Sequence, residues 1–272
     1  MIDALRPIPL AGQPDRPPLV LVHGFMGQAD DWRPLAEALG RYHHVFAVNL
    51  PGHGPDWTPE AVAALDFPAC AAAIAAHLDA LASGQVALLG YSMGGRIALY
   101  LAMHYPERVS RLILESASPG LDTEEKRAIR AAQDDALADR LESLEPGSPA
   151  FQEFVEEWYG QPLFTSLHGH REVLNALVAR RVAVCEPGQL ALALRTLGTG
   201  VQPDLWPELH AFRTPTLLIA GEADRKFRII AEDMALACPA MAVEILSGCG
   251  HNVHLENTGA YTTVVRAFLH PR

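Results

Sequence analysis

No apolar run in this chain approaches the roughly 20 residues needed to span a bilayer. Residues 1–18, MIDALRPIPLAGQPDRPP, carry Asp3 and Arg6 and lack the apolar core of a signal peptide. Cysteine is scarce: Cys70, Cys185, Cys238 and Cys249 form neither a CxxC pair nor a zinc spacing. Buried free thiols in a reducing compartment are expected, and with them a cytoplasmic location. Positive charge is short too. With 21 Lys+Arg against 32 Asp+Glu the formal net charge is −11, and no basic cluster stands out. That argues against nucleic acid or an anionic membrane as partner. The same charge repels an anionic substrate at long range, so any anion specificity must come from a few local arginines. Internal repeats and low-complexity tracts are also missing. What is present is 272 residues, 49% hydrophobic and 19% charged, the composition of one α/β domain with an insertion.

Short β-branched or Leu-rich runs alternate with helical patterns, as in a parallel sheet with crossover helices. Strands are expected at 18–24 (PLVLVHG), 44–50, 85–90 (QVALLG), 109–116, 214–221 and 242–248. Helices are expected at about 30–39, 67–82, 93–104, 226–237 and 257–269. The alternation breaks between roughly 119 and 206, where several helical patterns follow one another without a convincing strand. The first, DTEEKRAIRAAQDDALADRLES, has Asp122 or Thr123 as N-cap and Glu125 nearby as in a capping box. Such an insertion reads as a lid over the strand ends, where ligands bind in open α/β sheets.

GYSMG, Gly90 to Gly94, follows a strand and opens a helix, the context that a nucleophile elbow requires. Ser92 is then exposed at a strand's C-terminal end. The chain order Ser, acid, His of this fold points to Asp224 in GEADRKF and His251 in GCGHNVHLEN. Glu222 and His254 compete, but Asp224 and His251 are better placed beside their strand ends. HGFMG, residues 23–27, matches the turn that supplies an oxyanion hole, here from the N–H groups of Phe25 and Met93. His23 reads as a hydrogen-bonded residue of that turn. The fold expected is the α/β-hydrolase fold: a mostly parallel sheet, helices on both faces, and a helical cap (119–206) inserted after the strand at 109–116. Residues 1–118 and 207–272 form the core. The set can attack an ester carbonyl, or abstract a proton beside a carbonyl and hold the enolate.

Arg96 lies one helical turn after Ser92. Its side chain points back toward the helix N-terminus and reaches the pocket. Elbow helices are buried, and a guanidinium unpaired there is costly. A ligand carboxylate, matched by the planar fork, is its natural partner. The alternative is an outward turn toward a surface carboxylate.

With VHGFMG, LPGHG, GYSMGGR, LILESASPGL, WYGQPLF, GTGVQPDLW, GEADRKF and GHNVHLEN, nearly the whole chain resembles the 2-succinyl-6-hydroxy-2,4-cyclohexadiene-1-carboxylate (SHCHC) synthases of menaquinone biosynthesis. The resemblance implies a lyase that eliminates pyruvate (a 2,5-elimination) from a cyclohexene bearing three carboxylates, with no metal or organic cofactor. It also implies substrate-binding arginines at Arg130 and at Arg180 or Arg181, and pocket positions at Tyr91 and Trp158. Two departures are visible: VAVCEPGQL follows Arg181 where the family usually carries asparagines, and only residues 1–17 precede the first clear strand, so an initial hairpin is expected to be missing or reduced. A carboxylesterase or C–C hydrolase with the same triad is the rival expectation.

Overall fold

Period-two burial organises the molecule. In the computed structural model, which describes residues 2–81 and 84–270, seven strands form one sheet: β1 (Ile8–Ala11), β2 (Pro18–Val22), β3 (His44–Val48), β4 (Val86–Tyr91), β5 (Val109–Glu115), β6 (Thr216–Gly221) and β7 (Met241–Leu246). Their order is β1-β3-β2-β4-β5-β6-β7, with β1 antiparallel to β3 and every other pair parallel. Along β2, Val20 and Val22 join the apolar core on one face, while Leu19 and Leu21 join the core on the other. β4 and β6 are buried at every residue, as central strands covered on both sides must be.

The helices are α1 (Arg33–Leu39), α2 (Pro59–Ala63), α3 (Phe67–Leu81), α4 (Met93–His104), α5 (Glu124–Glu142), α6 (Pro149–Tyr159), α7 (Arg171–Val184), α8 (Pro187–Leu197), α9 (Arg225–Ala237), α10 (Val253–Glu256) and α11 (Thr258–Leu269). Helices α3, α4 and α9 pack on one face of the sheet, α1 and α11 on the other. Residue 82, the end of the helix expected at 67–82, lies outside the described residues, as do residues 1, 83, 271 and 272 of the expected core. Among the described residues no helix is long and apolar enough to cross a membrane.

Helices α5 to α8 fill the gap between β5 and β6 and carry a separate apolar core around Phe151, Phe154, Val155 and Leu190. Met26, from the loop after β2, is fully buried in that cluster and joins the insert to the sheet. Of an initial hairpin only the four-residue β1 is present, and it pairs with the edge of β3 rather than with β2. One expectation is corrected: Thr123 alone caps α5, its hydroxyl accepting the Lys126 N–H, so the N3 place of a capping box holds Lys126 instead of Glu125.

β2 and β4 are neighbours, yet the chain leaves them toward opposite edges of the sheet, β3 on one side and β5 on the other. Their C-terminal ends therefore flank a topological switch point, where the loops diverge and leave a crevice. The loop 23–27 and Ser92 sit there.

Candidate active site

Ser92 adopts φ 50°, ψ −112°, a left-handed conformation that a non-glycine residue holds only under constraint. Its N–H donates to Glu115 O at 2.9 Å, and the turn runs straight into α4. A Cβ on Gly90 would lie 2.5 Å from Gly94 O, and one on Gly94 would strike the backbone at Val22 and His23. Only glycines let strand and helix close around the serine this tightly.

Asp224 begins α9 as its N-cap: Oδ1 accepts the Phe227 N–H at 3.4 Å while Oδ2 accepts from His251 Nδ1 at 2.7 Å. With the proton on Nδ1, His251 Nε2 is free to accept from the Ser92 hydroxyl at 3.2 Å. Asp224 and His251 are buried, and the rings of Tyr91, Phe164 and Phe227 surround the imidazole. The competitors are engaged elsewhere. Glu222 is exposed and accepts from Gly248 N–H, and His254 is bound to Glu115. Glu256, unremarked in the sequence, holds the loop of His251 by accepting from Gly250 N–H (2.8 Å) and Asn252 N–H (3.1 Å).

The N–H groups of Phe25 and Met93 donate to no partner among the described residues. Two buried histidines set that loop. His23 donates from Nδ1 to Gly24 O and accepts Leu50 N–H at Nε2; His53 donates to Pro51 O and accepts Met26 N–H. Burial lowers the His23 pKa to about 4 and that of His53 to about 3, so both rings are neutral. His23 is thus a structural residue of the turn, as its place in the motif suggested.

Two lobes open from Ser92, sharing Phe25, Trp158, Leu163 and His251 as walls. The outer lobe, about 390 Å³, is cationic: Arg96, Arg130, Lys126 and Lys226 line it. Arg96 is buried and donates from Nη1 to two neutral acceptors, Leu197 O (3.1 Å) and Gln202 Oε1 (3.3 Å). Among the described residues it has no carboxylate partner, so it does not turn outward to a surface acid. Gln202 is itself fixed by donating to Ser118 O, and Trp206 Nε1 donates to Gly120 O. The motifs ESASPGL and GTGVQPDLW are therefore two sides of one contact that seats Arg96. Arg130 binds Asp134 through Nε at 2.8 Å. Lys226, missed by sequence reasoning, stands at the rim with its pKa lowered by burial and by the nearby Arg130; the DRKF motif was its only signal.

The inner lobe, about 340 Å³, runs past Tyr91 toward α7. Here the two candidate arginines separate. Arg180 is partly exposed and reaches Asp31 at 3.3 Å. Arg181 is buried, pairs with Asp31 at 2.7 Å, donates from Nε to the Tyr159 hydroxyl at 3.4 Å, and leaves Nη1 buried without a partner. Burial opposes the Arg181 charge, but Tyr159 and Asp31 more than offset it and raise its pKa.

A family model described as the alpha/beta hydrolase fold matches residues 17–258. The chain is 36% identical over 251 residues to the putative SHCHC synthase of Bacillus subtilis, covering 92% of this chain and 89% of that protein. It is 33% identical over 260 residues to the SHCHC synthase of Serratia proteamaculans, covering 95% of each. The structure of MenH from S. aureus superposes with a TM-score of 0.89 at 33% identity over 97% of both chains. A thermophilic esterase from Thermogutta terrifontis shares the fold with a TM-score of 0.77 at 25% identity, over 97% of this chain and 92% of the esterase. On its sequence, its sheet and the crevice at its switch point, the chain belongs to the SHCHC synthases of the alpha/beta hydrolase fold.

Proposed function

We propose that this chain eliminates pyruvate from 2-succinyl-5-enolpyruvyl-6-hydroxy-3-cyclohexene-1-carboxylate and releases 2-succinyl-6-hydroxy-2,4-cyclohexadiene-1-carboxylate, a lyase step of menaquinone biosynthesis. The observation that carries the reading is a triad-like set opening onto a lobe whose buried arginine has only neutral partners. A guanidinium out of water needs an anion, and this substrate brings three carboxylates.

In this reading Ser92 is the base. His251 takes up its proton, and Asp224 holds the imidazole in the tautomer that allows this. The deprotonated serine removes the ring proton at C2, beside the succinyl ketone. The N–H groups of Phe25 and Met93 hold the enolate oxygen that develops. The electron pair then forms the C2–C3 double bond, the C3–C4 double bond shifts to C4–C5, and the C5–O bond breaks. The departing enolpyruvate picks up a proton and becomes pyruvate. Arg96 and Arg130, with Lys226 at the rim, bind carboxylates in the outer lobe, and Arg181 rather than Arg180 faces substrate in the inner one. Tyr91 and Trp158 are walls. Residues 119–206 act as a cap on a core made of 1–118 and 207–272.

A carboxylesterase with the same triad is the second reading, favoured by the unpartnered N–H pair and the shared fold of the Thermogutta esterase. It gives the outer lobe's cations nothing to do. Pyruvate release from the cyclohexene substrate, set beside hydrolysis of an activated aryl ester, decides between them. Elimination should dominate. A substrate-derived adduct on Ser92, trapped during turnover and seen by mass spectrometry, would overturn the role of Ser92 as base.

A further inference from the structure

We infer that His254, clamped by Glu115, accepts a hydrogen bond at Nε2 from the ring hydroxyl of the substrate, and so selects for that hydroxyl in the inner lobe. The inference rests on the elimination reading above. It begins with Glu115, the last residue of β5, which is fully buried. A carboxylate taken out of water must find donors, and His254 supplies them. Its backbone N–H donates to Oε1 at 3.1 Å, and its ring Nδ1 lies 2.8 Å from Oε1 and 2.9 Å from Oε2. The Nδ1 proton is thereby committed to Glu115, as that of His251 is to Asp224. Nε2 keeps its lone pair and is an acceptor.

That acceptor opens on the inner lobe. His254 lines the lobe, and Nε2 has no hydrogen-bond partner among the described residues. Two other polar atoms of lining residues, Trp32 Nε1 and Asn252 Oδ1, are sealed from the lobe by burial; Nε2 is not. Trp32 at 4.7 Å and Tyr91 at 4.8 Å hold the ring in place. Tyr91 also packs on His251 at 5.4 Å, so a single aromatic ring separates the acceptor from the triad. A lone pair repels a carboxylate. The charges of the two lobes sort in the same sense: Arg180 and Arg181 both pair with Asp31, whereas Arg96 in the outer lobe has only neutral partners.

The substrate's own polar groups complete the match. Its three carboxylates, its ketone and its enol ether only accept. The hydroxyl at C6 is the one group that donates. C6 is two ring bonds from C2, the carbon that yields its proton to Ser92, so the hydroxyl stays close to the serine from which the inner lobe opens. With the carboxylates drawn to Arg96, Arg130 and Lys226, the ring turns its hydroxyl toward Nε2. His254 thus helps to set how the ring lies over Ser92.

The test uses the substrate and its 6-fluoro analogue, which fills similar space and cannot donate, in wild type and in His254→Asn. The asparagine amide keeps an N–H for Glu115 and removes Nε2. A neutral hydrogen bond supports a preference of about three- to tenfold. Wild type should therefore show the lower KM for the hydroxylated compound by about that factor. His254→Asn should raise that KM to the level of the fluoro analogue, whose own KM should stay within about twofold. A wild type indifferent to the exchange, a preference that survives in His254→Asn, or equal rises for both compounds would overturn the inference; a merely structural histidine gives equal rises. Should His254→Asn show no cooperative melting, nitrogen-15 NMR of Ser92→Ala, which retains the imidazole, takes its place. Nε2 should then be bare of hydrogen in the free protein, and its signal should move with the substrate but not with the fluoro analogue. A protonated Nε2, or one response to both compounds, rejects the inference. If wild type releases no pyruvate, the elimination reading fails instead. Calorimetry with the two compounds then judges His254 separately: hydroxyl-selective binding that His254→Asn abolishes upholds it, and equal or undetectable binding rejects it.

Discussion

Burial, and after it the positive charge of Arg130, press the pKa of the Arg96 guanidinium down to about 9. That depression measures how little the protein itself offers the cation, and how much an incoming anion relieves. Arg96→Ala should raise KM for the polycarboxylate and lower kcat/KM by roughly ten- to a hundredfold, the scale of one charge-assisted contact. Arg96→Lys should recover only part, since lysine lacks the planar fork. Hydrolysis of a small neutral aryl ester should change far less. Equal losses in both activities, with a lowered melting temperature, would mean that Arg96 serves the fold through Leu197 and Gln202.

The loop that delivers His251 depends on an acid five residues further along, Glu256, the last residue of the single turn of α10. Glu256 bridges the N–H groups of Gly250 and Asn252, on either side of the histidine. Glu256→Ala should destabilise the protein by about 1–3 kcal/mol, the penalty for stranding buried donors. It should also lower kcat more than KM, because the imidazole loses its position rather than the substrate its site. Melting curves and steady-state kinetics check both. None of this was legible in the sequence, where Glu256 is one letter of GHNVHLEN. Strongly patterned elements were legible: β2, β4, β5 and β6 declare themselves by apolar runs, and α4 by the glycines around Ser92. β1 was not, because four residues interrupted by Pro9 and a register shift carry no periodicity. The approach of Ser92, Asp224 and His251 follows from strand ends and chain order. The contacts Arg96–Gln202, Arg181–Asp31 and Glu115–His254 join residues far apart in sequence, and no local pattern announces them.

The whole molecule carries a pH dependence through His23 and His53. Each is neutral and doubly hydrogen-bonded when folded, with a pKa of about 4 and about 3 against 6.5 when unfolded. The unfolded chain therefore binds more protons below about pH 6.5, and stability falls as the pH drops from there toward the folded values. For His23 alone the full loss is about 3 kcal/mol at 1.36 kcal/mol per unit. Melting temperatures should decline from pH 7 to pH 5. His53→Gln, which can accept and donate like the ring but does not titrate, should lessen the slope while lowering stability throughout. The sheet has a further global consequence at its N-terminal border. β1 covers β3, turns away after a register shift, and exposes Pro9, which has no N–H to offer another strand. Its brevity is thus a safeguard against polymerisation: a chain lacking residues 2–12 would bare the parallel edge at Val45 and Ala47, and light scattering on warming should show it clumping well before the intact protein does.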